Sequence, residues 1–309
     1  MRLAMSILVR DEADIIEANI RHHAELGVSP FIVTDNSSVD GTRDILESLS
    51  QEIDLSIIDE PAKTIDQDLW VTRMALQLRD SGQADWVINN DADEFWQPRQ
   101  GSLVAAVEQA LAESEDPVSI GMLSCSRYNL IPSQESTARP DYQFRDNRYQ
   151  VLRDWTDPAA VLGLVSEEGA VHPSLYDNGV HMMIRTLPGK VITRLEGLES
   201  VAMGNHGAKH ALKKQGTDAI DIAHYPIRHY EQFEKKVVNY GSSLENNQRF
   251  SASTSRHLRH WYQCYQAGSL REEYKLMVPE EAVLLKLVEE GVVRYLPPPV
   301  CGNVVASVR

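Results

Sequence analysis

The first hundred residues alternate short apolar runs with amphipathic stretches. The apolar runs predict strands at 3–9, 31–34, 55–58 and 86–89. Between them, apolar residues three or four positions apart predict helices at 11–26, 42–49 and 65–78. Strands and helices that alternate over short connections are typical of βαβ units. The pattern therefore predicts an α/β fold with a mixed, mainly parallel sheet flanked by helices.

This regularity fades after a predicted helix at 102–112 and a strand at 119–125, although short strands are expected again at 190–194 and 200–203. From Tyr230 onward the pattern is helical, with further helices at 257–265 and 280–290. We therefore predict a domain of residues 1–229, with halves at 1–100 and 101–229. A C-terminal helical extension, 230–309, follows.

Charge and cysteine content narrow the possible functions. The 309 residues include 30 basic and 45 acidic ones, for a net charge of −15, which argues against nucleic-acid binding. Cys125, Cys264 and Cys301 are scattered and predict neither a disulfide framework nor a zinc knuckle. The sequence shows no signal-peptide pattern and no apolar run long enough to span a membrane. The default expectation is a cytoplasmic protein.

The fourth predicted strand leads into the acidic residues Asp91, Asp93 and Glu94. Open α/β sheets bind ligands at the carboxyl ends of their strands. Two carboxylates at this spacing suit a divalent cation that keeps positions open for phosphate oxygens. A solvated acidic turn is the alternative for an isolated Asp-x-Asp sequence.

Three strand ends carry a resemblance to a known family. They are residues 9–14 (VRDEAD), 34–42 (TDNSSVDGT) and 90–95 (NDADEF). In their order and spacing the chain resembles family 2-like glycosyltransferases with the GT-A (nucleotide-diphospho-sugar transferase) fold. Within them it is most similar to the group that reads "DN-x-S-x-DGT" and "DADEF". The resemblance is strong over the first hundred residues and weaker through 204–207 and 224–228.

The resemblance implies a Rossmann-like GT-A fold and transfer of a sugar from a nucleotide-diphosphate sugar, expected to be UDP-linked, to an acceptor hydroxyl. It implies a hexosyltransferase-like enzyme of class EC 2.4 in surface polysaccharide or glycoconjugate synthesis. The expected partners are this donor and a carbohydrate or glycoconjugate acceptor. No nucleic-acid partner is expected, and peripheral membrane association stays open.

Several residues are candidates for binding the donor. Asp35 ends the second strand, where it suits a uracil N3–H or a ribose hydroxyl, although an Asx turn is the structural alternative. Arg10 and Arg73 are candidates for the diphosphate, because arginine suits bidentate phosphate contact. A solvated position on the helix is the alternative for Arg73.

The resemblance also implies a divalent cation, Mn²⁺ or Mg²⁺. It makes Asp93 the direct ligand, while Asp91 acts directly, through water or on the ribose. His224 is the candidate third ligand, with His206 as the alternative. Arg228 follows His224 closely enough to reach the same diphosphate. Trp96 is either a sugar-stacking platform or a core anchor.

The catalytic base is less defined, because the Glu-Asp pair common in inverting relatives has no clear match here. The acidic candidates are Glu167, Glu168, Asp177, Glu196, Glu199 and Asp221. We choose Glu199, with His206 as runner-up. The acceptor surface is expected within 139–181.

Two other functions remain open. A non-catalytic nucleotide- or carbohydrate-binding protein would keep the same fold without turnover. A sugar nucleotidyltransferase would share the acidic site, but such enzymes open with a glycine-rich loop, and residues 10–14 contain no glycine.

Overall fold

The computed structural model describes residues 1–62, 64, 66–152, 183–185, 187–246 and 255–297. The chain divides into two compact units. The first unit contains Met1–Arg127 and Pro188–His224, and the second contains the described parts of Tyr128–Leu187 and Tyr225–Ala306. The boundary at His224 lies five residues before the predicted domain end, and the predicted domain limits stay a prediction.

The first unit follows the predicted alternation of strands and helices. Its strands are β1 (Leu3–Val9), β2 (Phe31–Asp35), β3 (Leu55–Asp59), β4 (Trp86–Asp91), β5 (Glu94–Pro98), β6 (Ile120–Ile131, continuing into the second unit), β8 (Lys190–Arg194), β9 (Leu198–Val201), β10 (Ala208–His210) and β11 (Lys213–His224). Its helices are α1 (Ile16–Glu25), α2 (Thr42–Leu49), α3 (Gln67–Ser81) and α4 (Leu103–Ala112).

The sheet of the first unit has the strand order β6-β8-β4-β1-β2-β3. Strands β3, β2, β1 and β4 are parallel, whereas β8 is antiparallel to both β4 and β6. Strand β11 pairs with β5 in antiparallel register. The predicted α/β fold class of the GT-A type, a mixed sheet with a parallel half, is therefore confirmed.

Apolar helix faces cover this sheet. On α3, Val71, Met74, Ala75 and Leu78 recur at helical spacing and pack in one buried cluster with Val87 of β4. Fully burying a Val, Leu or Met side chain stabilises the fold by about 1.5–3 kcal/mol. The buried strands β2 and β4 thereby carry Asp35 and Asp91 at their carboxyl ends.

The second unit is mainly helical. It contains β7 (Tyr149–Val151) and β12 (Val293–Tyr295), and the helices α5 (Gln134–Thr137), α6 (Tyr230–Asn246), α7 (Arg256–Gln266), α8 (Leu270–Met277) and α9 (Glu281–Glu289). Strand β7 pairs with the last residues of β6 and with β12. The expected C-terminal helices are thus present, with one more, α8, than the sequence pattern predicted. Within the described ranges, no helix is long and apolar enough to cross a membrane.

Candidate active site

Strand β4 carries the acidic run to the carboxyl edge of the parallel strands. It lies between β1 and β8, and its residues are buried up to Asn90. A tight turn at Ala92-Asp93 follows, and β5 begins at Glu94. This reversal places three carboxylates within four residues at the strand ends where α/β proteins bind ligands.

A buried polar network holds the turn in place. The indole Nε1 of Trp96 donates to Asn90 Oδ1 at 2.8 Å, and the Trp96 backbone N–H donates to His23 Nε2 at 3.1 Å. Asn19 donates to the backbone carbonyls of Ala92 and Glu94. Trp96 has no exposed surface. It is therefore the core anchor of the turn rather than a sugar-stacking platform.

Two cations compensate the acidic group. Lys190 Nζ lies 2.5 Å from Asp91 Oδ2 and 3.0 Å from Glu94 Oε2. Arg127 Nη1 lies 2.5 Å from Glu94 Oε1. Lys190 and Glu94 are fully buried, so neither can rely on water for compensation. Burial alone would raise the pKa of Glu94, but the charges of Lys190 and Arg127 outweigh it, so that pKa lies below its usual value.

Asp93 and His224 form the part of the group that is suited to a cation. In the antiparallel pairing of β11 with β5, His224 is opposite Glu94, which brings its ring to the turn. His224 Nε2 lies 3.7 Å from Asp93 Oδ2. Burial lowers the pKa of His224, although Asp93 acts in the opposite direction, so the ring favours the neutral form that can bind metal. A buried carboxylate beside a neutral imidazole is a suitable donor set for Mn²⁺ or Mg²⁺.

Asp91 is engaged differently from Asp93. Besides Lys190, it accepts hydrogen bonds at Oδ1 from Asn205 Nδ2 at 3.1 Å and from Gln67 Nε2 at 3.3 Å. Asp93 and His224 thus lie side by side, and Asp91 is joined to the neighbouring Glu94 through Lys190. The role of Asp91, Asp93 and His224 as metal ligands stays a prediction.

His206 lies within the electrostatic influence of the same group, because the charges of Lys190, Arg127 and Glu94 affect its pKa. Its Nδ1 lies 3.0 Å from the Gly189 carbonyl oxygen, which can only accept, so Nδ1 carries the proton and Nε2 keeps a lone pair. Burial lowers the pKa of His206 and keeps the ring neutral. Gly204, at φ +72°, lets the ring approach, since a Cβ there would lie 2.9 Å from His206 Cδ2.

Glu199 has different surroundings. Its side chain is exposed on β9 and lies 2.5 Å from Lys209 Nζ. Among the contacts of the described residues, Glu199 has none with the acidic group on β4. Of the other acidic candidates, Glu196 is exposed, Asp221 lies 3.8 Å from Arg99, and Glu167, Glu168 and Asp177 lie outside the described residues.

The donor candidates Asp35 and Arg10 lie at the same sheet edge. Val9 and Asp35 are paired in register at the ends of β1 and β2, and Arg10 follows directly. Asp35 Oδ1 accepts from the Ser38 backbone N–H at 3.1 Å. This bond closes a local turn with the third residue along the chain, whereas the Asx turn expected from the sequence would use the N–H two residues on. Asp35 Oδ2 lies 3.8 Å from Arg43 Nη1. The turn formed with Ser38 is compatible with a contact between Asp35 and a nucleotide.

The two other arginine candidates have protein partners. Arg73 lies on α3, where its Nη1 is 3.1 Å from Glu60 Oε2 and its side chain is partly exposed. Arg228 belongs to the second unit, is fully buried, and donates to the Tyr225 carbonyl at 3.3 Å. Their predicted contact with a diphosphate stays a prediction.

The family follows from a comparison with known proteins. The sequence profile of glycosyltransferase family 92 matches residues 4–264, most of the chain. The chain belongs to glycosyltransferase family 92. The predicted glycosyltransferase class is thereby confirmed, while the narrower motif group and the EC 2.4 hexosyl class remain predictions. No curated protein sequence matches this chain.

Solved structures of glycosyltransferases are similar to this family 92 chain at low identity. S. aureus TarS is 12% identical, with 91% of this chain and 46% of that chain covered and a TM-score of 0.36. TarS 1–349 in complex with UDP-GlcNAc is 11% identical, with 92% and 83% covered and a TM-score of 0.34. Glucosyl-3-phosphoglycerate synthase from Mycobacterium tuberculosis, in complex with Mn²⁺, UDP and glucosyl-3-phosphoglycerate, is 15% identical, with 82% and 81% covered and a TM-score of 0.35. The chain spans just under half the length of the first of these.

Four residues of the candidate site were missing from the sequence expectations. They are Gln67, Arg127, Lys190 and Asn205. Lys190 lies 99 residues from Asp91, and it is the first residue of an otherwise ordinary apolar strand. Only the pairing of β8 with β4 and β6 makes it a partner of the acidic group, and no local sequence pattern signals that pairing.

Proposed function

We propose that this protein transfers a sugar from a UDP-linked donor to an acceptor hydroxyl, as a hexosyltransferase-like enzyme of class EC 2.4. The observation that carries the proposal is the group of Asp91, Asp93 and His224 at the carboxyl edge of the parallel strands, backed by Lys190. Membership of glycosyltransferase family 92 supports the class of reaction. The acceptor is expected to be a carbohydrate or glycoconjugate.

The donor's base and ribose are assigned to the ends of β1 and β2. Asp35 is buried there, and its carboxylate can accept from a uracil N3–H or a ribose hydroxyl while it keeps the Ser38 turn. The Arg10 guanidinium follows β1, and its buried Nε has no hydrogen-bond partner in the described part of the chain. A buried donor without a partner suits an incoming phosphate oxygen.

Asp93 and His224 would hold a divalent cation, and Asp91 would support it. When bound, the cation would stabilise negative charge on the departing diphosphate. The three acidic residues Asp91, Asp93 and Glu94 face two built-in cations, Lys190 and Arg127. The group therefore keeps a net negative charge, which favours binding of a further cation. It repels the anionic donor less strongly than three unpaired carboxylates would.

We assign the base to His206 rather than to Glu199. The Gly189 carbonyl fixes the His206 tautomer, so Nε2 can accept a proton from an acceptor hydroxyl. The lowered pKa keeps the imidazole neutral and therefore able to act as a base at neutral pH. Glu199 instead forms an exposed ion pair with Lys209.

Thermal unfolding with UDP, GDP, CDP and ADP, each with Mn²⁺, Mg²⁺ or EDTA, tests the donor site. At a nucleotide concentration of 100 Kd we expect about 2.7 kcal/mol of stabilisation with one base, dependent on the cation and lost in Asp93→Ala. Asp116→Asn, an exposed position remote in sequence, is the matched control and should behave like the unchanged protein. No nucleotide-dependent shift in any condition would contradict the proposal.

Release of UDP from UDP-sugars separates an enzyme from a binding protein. We expect slow, cation-dependent hydrolysis that disappears in Asp93→Ala. Nucleotide binding without any hydrolysis or transfer would support the non-catalytic alternative instead.

A further inference from the structure

A second group of metal-binding side chains lies in the helical unit. His260 and Cys264 are four residues apart on α7, so both lie on the same face of that helix. Glu273 lies on α8, which follows after a short connection at 267–269. All three residues belong to the second unit, and the proposed sugar transfer does not use them. His260 and Cys264 lie near the end of the range matched by the family profile, and Glu273 lies beyond it.

The three donor atoms lie close together. Cys264 Sγ is 3.6 Å from His260 Nε2, and His260 Nε2 is 3.3 Å from Glu273 Oε2. All three atoms lie within 4.8 Å of one another. Tetrahedral zinc, with its usual bond lengths to nitrogen, oxygen and sulfur, separates such ligands by about 3.4 Å (N to O) and about 3.6 Å (N to S). The two measured separations agree with these values.

Glu273 provides an independent observation. Its side chain is only 8% exposed. The Oε2 atom is buried and receives no hydrogen bond within the described part of the chain. A buried carboxylate oxygen without a hydrogen-bond donor is costly unless a charged partner approaches it. Its position beside an imidazole and a thiol points to a divalent cation as that partner.

We propose that His260, Cys264 and Glu273 bind one Zn²⁺ ion that joins α7 to α8. The sulfur and nitrogen donors distinguish this site from the Asp91/Asp93 group, because soft and borderline ligands select zinc over Mg²⁺. Three protein ligands leave a fourth position for water. The ion stabilises the helical unit by fixing two successive helices at their shared face.

The first test is zinc and cobalt binding by the full chain after chelator treatment. We expect one equivalent of Zn²⁺ to bind, and Co²⁺ to give the near-ultraviolet charge-transfer band of a cobalt–thiolate bond. Excess Mg²⁺ should displace neither ion. Absence of zinc binding, or a cobalt complex without that band, would overturn the proposal.

Variants locate the site. Cys264→Ser, His260→Gln and Glu273→Gln should each weaken zinc binding at least tenfold, and Cys264→Ser should also remove the cobalt–thiolate band. The matched controls are Cys125→Ala, His229→Gln and Glu272→Gln, which replace the same residue types outside the group. If the controls lose zinc as strongly as the ligand variants, the site lies elsewhere.

Two further measurements do not depend on the stability of the ligand variants. A chain in which Cys125 and Cys301 are replaced keeps Cys264 as its sole thiol, and zinc should protect that thiol from alkylation. Asp93→Ala should leave the band unchanged, which separates this site from the proposed donor site. Unprotected alkylation, or loss of the band in Asp93→Ala, would contradict the assignment.

Discussion

The two groups of metal-binding side chains differ in how their buried negative charge is compensated. In the first unit, Asp91 and Glu94 are matched by Lys190 and Arg127, cations that belong to the fold itself. In the second unit, Glu273 has only His260 as an ionic partner among the described residues. A group with built-in cations can stay folded whether or not a ligand is bound. A group without built-in cations gains more stability when it binds an external cation.

The largest expected effect comes from breaking the compensation in the first unit. Lys190→Met removes the ionic partner of the half-buried Asp91 and one of the two cations beside the fully buried Glu94. We expect a loss of about 3 kcal/mol of unfolding free energy, the low end for a broken buried ion pair, because Glu94 keeps Arg127. Adding Glu94→Gln should recover part of the loss. In contrast, Glu273→Gln in chelator-treated protein should change stability by about 1 kcal/mol or less, since Oε2 accepts no hydrogen bond.

Urea unfolding of these variants measures the contrast directly. Equal losses for Lys190→Met and Glu273→Gln would remove the distinction between the two groups. A Lys190→Met protein as stable as the unchanged chain would show that Asp91 and Glu94 find other compensation.

The second effect concerns catalysis in the first unit. His206→Gln should lower the rate of cation-dependent UDP release from a hydrolysed UDP-sugar by about 100-fold or more, with little change in KM. Since the pKa of His206 is lowered and its neutral form is the base, the rate should fall as pH drops through that lowered pKa, below about 6.5. Above this range the rate should be flat.

The exposed candidate Glu199 provides the control for His206. Glu199→Gln removes only a surface ion pair with Lys209, and we expect rates within about twofold of the unchanged chain. The opposite result would contradict the assignment of His206. If the fall in rate at low pH disappears in Glu199→Gln but persists in His206→Gln, Glu199 is the base and His206 is not.

The smallest effect concerns the network beneath the acidic turn. Trp96→Phe removes the Nε1 hydrogen bond to Asn90 and should cost about 1–2 kcal/mol more than Trp86→Phe. Trp86 is a suitable control because it is equally buried and contacts Arg194 through its ring face. Equal costs for the two variants, measured by urea unfolding, would show that the network does not stabilise the turn.

The sequence predicted the parallel half of the fold better than the rest. Strands β1 to β3 and helix α2 lie where the periodicity placed them, because each is a local apolar pattern closed by a turn. Strand β11 was missed, since its first half, Lys213 to Asp218, is almost entirely polar and exposed or half-buried. Its partner β5 lies more than a hundred residues earlier, so the pairing has no local signature.

For the candidate site, too, the sequence predicted residues with a local signal and missed residues without one. Asp91, Asp93 and Asp35 could be found because they directly follow apolar strands. His206 and His224 were suggested by the resemblance. The partners of these residues, above all Lys190 and Asn205, could not be predicted, because contacts between distant strands bring them together. Likewise, Cys264 alone predicted no zinc site, since Glu273 joins it only through helix packing.

The ion pairs of Lys190 also bear on how reliably the chain reaches its correct strand pairing. Side chains alternate between the two faces of a strand, so a slip of β8 by one residue would turn Lys190 away from Asp91 and Glu94. Such a slipped sheet would leave the buried Glu94 with Arg127 alone and Asp91 without its ionic partner. The ion pairs of Lys190 thus raise the free energy of the sheet with shifted β8 more strongly than apolar residues such as Val191 and Ile192 could. A stable chain therefore requires the correct register of β8.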